Sequence, residues 1–391
     1  MESKSGTHLL TGSQACVDGA IAAGCRFFSG YPIQPATQIF QRFISRAPEV
    51  DATFVQMEDE ISALAALLGA VWTGQKGLTA TSGPGFSLMM EHLGLGIMLE
   101  TPCVIVDVQR AGLSTGIPDH PGQGDVMQAR WGSHGDYELI ALSPASAQEM
   151  FDFTIKAFNL SERFRVPVVL LSDAYIAHLA ENVEIPPAGE ITIQPRRYYQ
   201  GPKDKYLPFK RDEDLVPRMV DIGDDYRFHV TGLTHDDRGY PVMNDECQEY
   251  NVRPLVQKIR RFVDEIIEIQ ETGTEDADVV IVTYGAPSRF AVQAMEEARK
   301  SGIKAGSLKL DTVWPFPDKR IAELAKKVKA FVVPEMNFGQ IVFEVERTSY
   351  GRANVVFVQH GEKGVENTDD LLSAIKKVVK EEKIKEGVIE Y

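Results

Sequence analysis

CVIVDVQ, residues 103–109, is the stretch on which the fold turns. It is short and rich in β-branched residues. An apolar run without alternation marks a strand covered on both faces. VPVVLLSD, residues 166–173, is a second run of the same kind. Working outward, helices are predicted at 13–24, 36–46, 60–72, 86–99 and 146–161, with shorter strands at 26–29 and 77–81. Apolar strands spaced by helices predict a parallel sheet with helices on both faces, an α/β domain over residues 1–180.

From 181 to 253 the pattern dissolves into scattered prolines, charges and tyrosines, as in IPPAGEITIQPRRYYQGPKDKYLPFKRDEDLVPR. A structureless connector of this length is seldom idle, and this one is expected to wrap another surface. A charged helix over 254–271 opens a second α/β unit, 254–391. Its strands are expected at 278–285, 303–310, 330–335 and 354–359, with a Lys/Glu-rich helical tail from Leu371.

The chain has 391 residues, enough for two or three domains, and a net charge of -15. No Lys/Arg cluster is present, which argues against nucleic acid. No apolar run approaches the roughly 20 residues of a membrane helix, and MESKSGTHLL lacks a signal-peptide core. A cytoplasmic protein is expected. Cys16, Cys25, Cys103 and Cys247 form no CxxC pair, so this chain alone builds neither a zinc site nor an iron–sulfur cluster. Cys103 reads as a buried small hydrophobe.

Several residues stand out as candidates for chemistry. Gly30–Tyr31–Pro32–Ile33–Gln34–Pro35 is a loop stiffened by two prolines. It holds a side chain still against a ligand or simply turns the chain, and the residues alone favour the turn. Ser82–Gly83–Pro84–Gly85 permits close approach of a ligand or of another backbone, and packing is the simpler account. It is neither a P-loop nor GxGxxG. Arg110 ends the strand 103–109, at the sheet edge where α/β proteins bind ligands. It suits a carboxylate as well as it suits a surface ion pair. The loop after it supplies Ser114, Thr115, Asp119 and His120. His134, flanked by glycines, reads as a loop histidine. In FVQMEDEISALAALLGAVWTG, residues 54–74, the helix dipole suffices for Glu58 and Asp59. Glu60 precedes a run of small and apolar residues. Drawn under the surface, its carboxyl would have a raised pKa and serve as an acid, although the helix-end account is the simpler one.

Together, YPIQPATQI, QMEDEISA, TSGPGFSLMMEHLGLGIMLETPCVIVDVQR, STGIPDHPGQGD and the run from LSPAS to VPVVLLSD resemble, in order, the alpha subunits of 2-oxoacid:ferredoxin oxidoreductases. VTYGAPSR, VWPFP and VPEMNFGQ are similar to the family's domain II, and TGLTHDDRGYP to its 2-oxoglutarate type. The resemblance implies a thiamine-diphosphate-binding domain of the pyrimidine type, followed by a smaller transketolase-C-terminal-like α/β domain. It implies conversion of a 2-oxoacid and coenzyme A to acyl-CoA and CO2 with reduction of ferredoxin, or the reverse. Glu60 falls on the family glutamate at ring nitrogen N1', where it favours the imino tautomer that deprotonates the thiazolium C2. Arg110 falls on the arginine for the substrate's 1-carboxylate, flanked by Ser114 and Thr115. Tyr31, Pro32, Ile33, Ser82 and Gly83 fall beside the cofactor. Gln34 replaces the usual Thr of YPITP, which opens the choice of 2-oxoacid.

No GDG motif is present, so the resemblance assigns the diphosphate, Mg2+ and a [4Fe–4S] cluster to a beta subunit. It makes the gamma domain a separate chain and the assembly a dimer of alpha–beta units. The acidic charge suggests that ferredoxin docks elsewhere. A nicotinamide dehydrogenase lacks its fingerprint here, and a non-catalytic scaffold organised by the long arm is the remaining alternative.

Overall fold

The computed structural model describes residues 5–359 and 368–380. Val104–Ala111 lies in the middle of the principal sheet, parallel to Val168–Asp173 on one side and Lys76–Thr81 on the other. Cys25–Gly30 and then Thr53–Gln56 continue the parallel set beyond Lys76–Thr81. Ile140–Leu142 extends it beyond Val168–Asp173. Burial of all of Val168–Asp173 and of 104–110 explains why these two runs lack alternation. Cys103 is buried with them.

Helices cover both faces for local reasons. Thr11 and Gln14 form a capping box at the start of Gly12–Ala22. Ser146 caps Ala147–Phe164 by accepting from the Glu149 N–H at 3.0 Å. These two helices pack closely because Gly19 has no side chain. A Cβ there would stand 2.5 Å from the carbonyl oxygen of Phe151. On the far edge, Phe28 sits among Phe40, Phe43 and Phe54, with ring centroids 4.9–5.5 Å away.

The second sheet runs Ile269–Thr272, Ala305–Leu310, Val279–Thr283, Ala330–Glu335, Asn354–Gln359, parallel except for its first strand. It is not a separate body. Thr312–Trp314 leaves it and pairs antiparallel with Ile140–Leu142, so the second unit supplies the edge strand of the first sheet. The mixed α/β architecture and its parallel sheets match the sequence reading.

Other expectations need correction. The charged helix begins at Asp245, capped by Asn244, and ends at Arg260. Pro254 lies inside it, whereas the reading placed the start there. The carbonyl of Tyr250, which a proline four residues on cannot satisfy, accepts from Arg211 Nη1 at 3.2 Å. Residues 269–272 are strand, not helix. The helix expected over 86–99 is two, Gly83–Leu88 and Met90–Met98. The connector opens as the strand Ala180–Ile185, antiparallel to Gly6–Thr11. The surface it wraps is this chain's own first unit. Arg196 bonds Glu162 at 2.7 Å and the carbonyl of Val71 at 2.8 Å, and the rings of Trp72 and Phe228 stand 5.5 Å apart. The tail helix is described as Thr368–Lys380, and the rest of that expectation lies outside the described residues.

Candidate active site

Glu60 is the first residue of Glu60–Val71 and only 5% exposed. Its two neighbours behave differently. Asp59 is the N-cap, accepting from the Ser62 N–H at 2.7 Å. The Ser62 hydroxyl and N–H hold the Asp59 carboxyl below its ordinary range. Glu58 is exposed and precedes the helix. Glu60 has turned under the surface, and burial, with a smaller contribution from Asp59, raises its pKa.

The turn after Lys76–Thr81 is shaped around this carboxyl. A Cβ on Gly85 would lie 2.6 Å from the carboxyl carbon of Glu60 and closer still to its Oε1 and to Thr81 Oγ1. Only glycine lets backbone, hydroxyl and carboxyl share that space. The adjoining Ser82 is fully buried, with its hydroxyl lacking a hydrogen-bond partner. A buried acid, an orphaned hydroxyl and bare backbone thus form a small polar cradle at this turn.

Arg110 ends the central strand, 7% exposed. It donates from Nη1 to the carbonyl of Gln34 at 2.6 Å and from Nη2 to the carbonyl of Thr115 at 2.8 Å. Its Nε is buried without a partner. Among the described residues no carboxylate forms an ion pair with it. Arg110 thus gathers the Tyr31–Gln34 loop and the Ser114–Thr115 loop around a cation with no direct ion-pair partner among the described residues. Tyr31, Pro32 and Gln34 are exposed there and Ile33 is half-buried. The Met57 N–H donates to the carbonyl of Gly30 at 2.9 Å, tying this loop to the approach to Glu60. Ser82 and Gly83 stand on the Glu60 side. His134 is not in this group. It is exposed, 3.7 Å from the exposed Glu91. Asp119 and His120 are also exposed.

The sequence reading missed two carboxyls. Asp107 is fully buried in the middle of the central strand, and neither of its oxygens meets a donor nitrogen or hydroxyl. It faces Asp125, the residue before helix Val126–Trp131. An acid within CVIVDVQ is the signal that could have found it.

The loop bearing Asp125 is held by the second unit. The Gln123 N–H donates to the carbonyl of Met336 at 2.9 Å, and the Met336 N–H donates to Gln123 Oε1 at 3.0 Å. Gln340 accepts from the Met127 N–H at 2.8 Å and donates to the carbonyl of Gly124 at 2.6 Å. Glu335, fully buried, fixes this segment by accepting from the N–H groups of Gln340, Ile341 and Val342 at 2.9–3.1 Å.

Residues 18–252 match the family described as "Pyruvate flavodoxin/ferredoxin oxidoreductase, thiamine diP-bdg". Residues 277–370 match "Pyruvate:ferredoxin oxidoreductase core domain II". The chain is 50% identical over 94% of its length to the 2-oxoglutarate synthase subunit KorA of Methanothermobacter marburgensis, covering 98% of that protein. It is 35% identical over 95% of its length to the ketoisovalerate oxidoreductase subunit VorB of Methanothermobacter thermautotrophicus, covering 98% of it. Among solved structures it resembles the 2-oxoglutarate:ferredoxin oxidoreductase of Magnetococcus marinus, determined with 2-oxoglutarate, coenzyme A and succinyl-CoA bound. The TM-score is 0.89 at 31% identity, over 95% of this chain and 65% of that one. By sequence and by fold, the chain belongs to the 2-oxoacid:ferredoxin oxidoreductases.

Proposed function

We propose that this chain is the alpha subunit of a thiamine-diphosphate-dependent 2-oxoglutarate:ferredoxin oxidoreductase, forming succinyl-CoA and CO2 from 2-oxoglutarate and coenzyme A, or running in reverse. The observation that carries the reading is the presence, at this end of the sheet, of Glu60 buried in its glycine-lined cradle and of Arg110, which no carboxylate pairs directly among the described residues. Fifty per cent identity to a 2-oxoglutarate synthase subunit supports the choice of 2-oxoacid.

When bound, thiamine diphosphate supplies the carbon nucleophile that adds to the 2-oxo group and accepts the electrons left by decarboxylation. This chain's residues bind and orient. Glu60 holds ring nitrogen N1' through its raised carboxyl, and Ser82, Gly83, Tyr31, Pro32 and Ile33 line the ring. Arg110 receives the 1-carboxylate, using its spare Nε and any donor released from the carbonyls of Gln34 and Thr115. Gln34, Ser114 and Thr115 border the rest of the substrate.

The diphosphate, Mg2+ and a [4Fe–4S] cluster belong in this proposal to a beta subunit, because the chain has no GDG motif and no cysteine cluster. A separate gamma subunit, a dimer of alpha–beta units, a cytoplasmic setting and ferredoxin docked on another subunit complete the assembly. Co-purification with these partners, followed by coenzyme-A-dependent viologen reduction with each 2-oxoacid in turn, tests it. Turnover of 2-oxoglutarate above pyruvate, branched and aryl 2-oxoacids is expected. Preference for another 2-oxoacid reassigns the substrate. Full activity and brown colour in the lone chain refute the division of labour.

A further inference from the structure

Two features of the site are not used by that reaction scheme. Asp107 and Asp125 are buried carboxyls facing one another, and they lie at the root of the loop whose start is Arg110. The chain folds back on itself here. Arg110 pairs with Pro121 antiparallel, and the Asp125 N–H donates to Gln109 Oε1 at 3.1 Å. Asp107 sits opposite Thr81 on the neighbouring parallel strand. The two carboxyl oxygens of Asp125 lie 3.4 and 3.5 Å from where a Cβ on Gly83 would stand. The pair is therefore wedged between the Ser82–Gly85 turn and the arginine strand, and the second unit fixes Asp125 through Gln123 and Gln340.

Two carboxyls in contact inside a protein do not both ionise. Burial, and then the facing Asp125, hold Asp107 protonated well above the ordinary carboxyl range. Burial pushes Asp125 up to about 6, against the opposing pull of the Asp107 hydrogen bond and the Arg110 charge. The protonated form is thus favoured at Asp107, while the facing Asp107 and the charge of Arg110 favour the ionised form at Asp125. Among the described residues, the ionisable groups near this region also include Asp173 on the adjacent strand, Glu60 across the turn, and Tyr284 and Glu335 beside the Gln123 anchor. Burial pushes Asp173 up to about 6 as well, against the N–H groups of Ile176 and Ala286, which donate to it at 3.0 and 3.2 Å.

We propose that Asp125, with Asp107 as its proton-donating partner, is a positioning anion behind Arg110 that sets how tightly the arginine grips a 2-oxoacid carboxylate. The proposal rests on the reading of Arg110 as the carboxylate receptor. An ionised Asp125 competes electrostatically with the incoming carboxylate, whereas a neutral one leaves the full cation to the substrate. Substrate binding and proton uptake by the aspartate pair are then linked.

The test uses the enzyme assembled with its partner subunits, measuring KM and kcat for the 2-oxoacid across pH. In the wild type KM should rise by about threefold to tenfold as pH passes through the Asp125 ionisation. Asp125→Asn should lower KM at neutral pH and flatten this rise. Asp107→Ala, which removes the donor, should move the midpoint to higher pH. Asp107→Asn, whose amide still donates, should leave it in place. If Asp125→Asn fails to assemble, the contrast between the two Asp107 variants still decides. An unchanged KM profile in Asp125→Asn, or equal midpoints in Asp107→Ala and Asp107→Asn, overturns the proposal. Arg110→Gln separates the two ideas. An unchanged KM there defeats the carboxylate-receptor reading itself. A raised KM together with unresponsive aspartate variants defeats only the positioning role.

Discussion

Glu60 and Gly85 are fitted to each other, since a side chain on Gly85 would occupy the space of the Glu60 carboxyl, 2.6 Å from its carboxyl carbon. Gly85→Ala should displace that carboxyl or the turn. Overpacking of this kind costs about 1–3 kcal/mol, and the damage should concentrate in the cradle. The expected result is an assembled complex with markedly reduced thiamine diphosphate occupancy, read by cofactor extraction and by titration of activity with added cofactor. Wild-type occupancy would show that the ring does not use this cradle.

Glu60→Gln keeps the shape and removes the acid. In the assembled enzyme, exchange of the thiazolium C2 proton should slow by roughly two to four orders of magnitude, as expected for loss of a positioned acid–base group. Hydrogen–deuterium exchange followed by NMR after rapid quenching measures it.

The same substitution has a stability signature in the lone chain. The folded-state pKa of Glu60 is raised by burial, so the folded protein holds this proton more tightly than the unfolded one. Its penalty is absent below the unfolded carboxyl range, grows as pH rises through that range, and is complete above the folded pKa. Glu60→Gln should therefore raise Tm at neutral pH relative to wild type, with the difference shrinking toward zero near about pH 4.

Lys258 and Glu100 form an ion pair at 2.8 Å with both side chains fully buried, and Arg211 bonds the same carboxylate at 3.0 Å. The pair fastens helix Asp245–Arg260 to the first unit. Lys258→Met leaves buried charge behind and should cost about 3–5 kcal/mol, measured by denaturant unfolding. Lys258→Met combined with Glu100→Gln should cost less than the sum of the two single changes.

Gln340 holds the Asp125 loop from the second unit. Gln340→Ala removes two hydrogen bonds, each worth about 0.5–1.5 kcal/mol. With Asp125 held less firmly behind Arg110, KM for the 2-oxoacid at neutral pH should fall, in the direction of Asp125→Asn, while thiamine diphosphate occupancy stays near wild type. A drop in cofactor occupancy with KM intact would assign the loop to the cofactor instead.

The sequence made some of this plain and hid the rest for identifiable reasons. Val104–Ala111 and Val168–Asp173 were legible because burial on both faces forces a continuous apolar run. Ile140–Leu142 and Thr312–Trp314 were not, because three-residue strands leave no periodicity to read. Pro254 disguised the start of its helix, since a proline inside a helix looks like a boundary. Arg110 was visible from its place at a strand end. Glu60 was ambiguous among three adjacent carboxylates on its residues alone, and the surrounding family motifs singled it out. Asp107 and Asp125 were invisible as a pair because their meeting depends on a fold-back that Met336 and Gln340 hold from far along the chain.

The edge strand Thr312–Trp314 has a consequence for the order in which this protein is built. During synthesis the first sheet can assemble as soon as Val168–Asp173 has left the ribosome, but its outer strand Ile140–Leu142 must wait for residues made much later. Until they arrive, that strand shows a row of unpaired backbone groups, the kind of template on which chains stick to one another. Arrival of Thr312–Trp314 closes the edge, and the adjoining second unit then brings Gln340 to the loop of Asp125. This edge is thus closed only shortly before Gln340, which holds the Asp125 loop, is made.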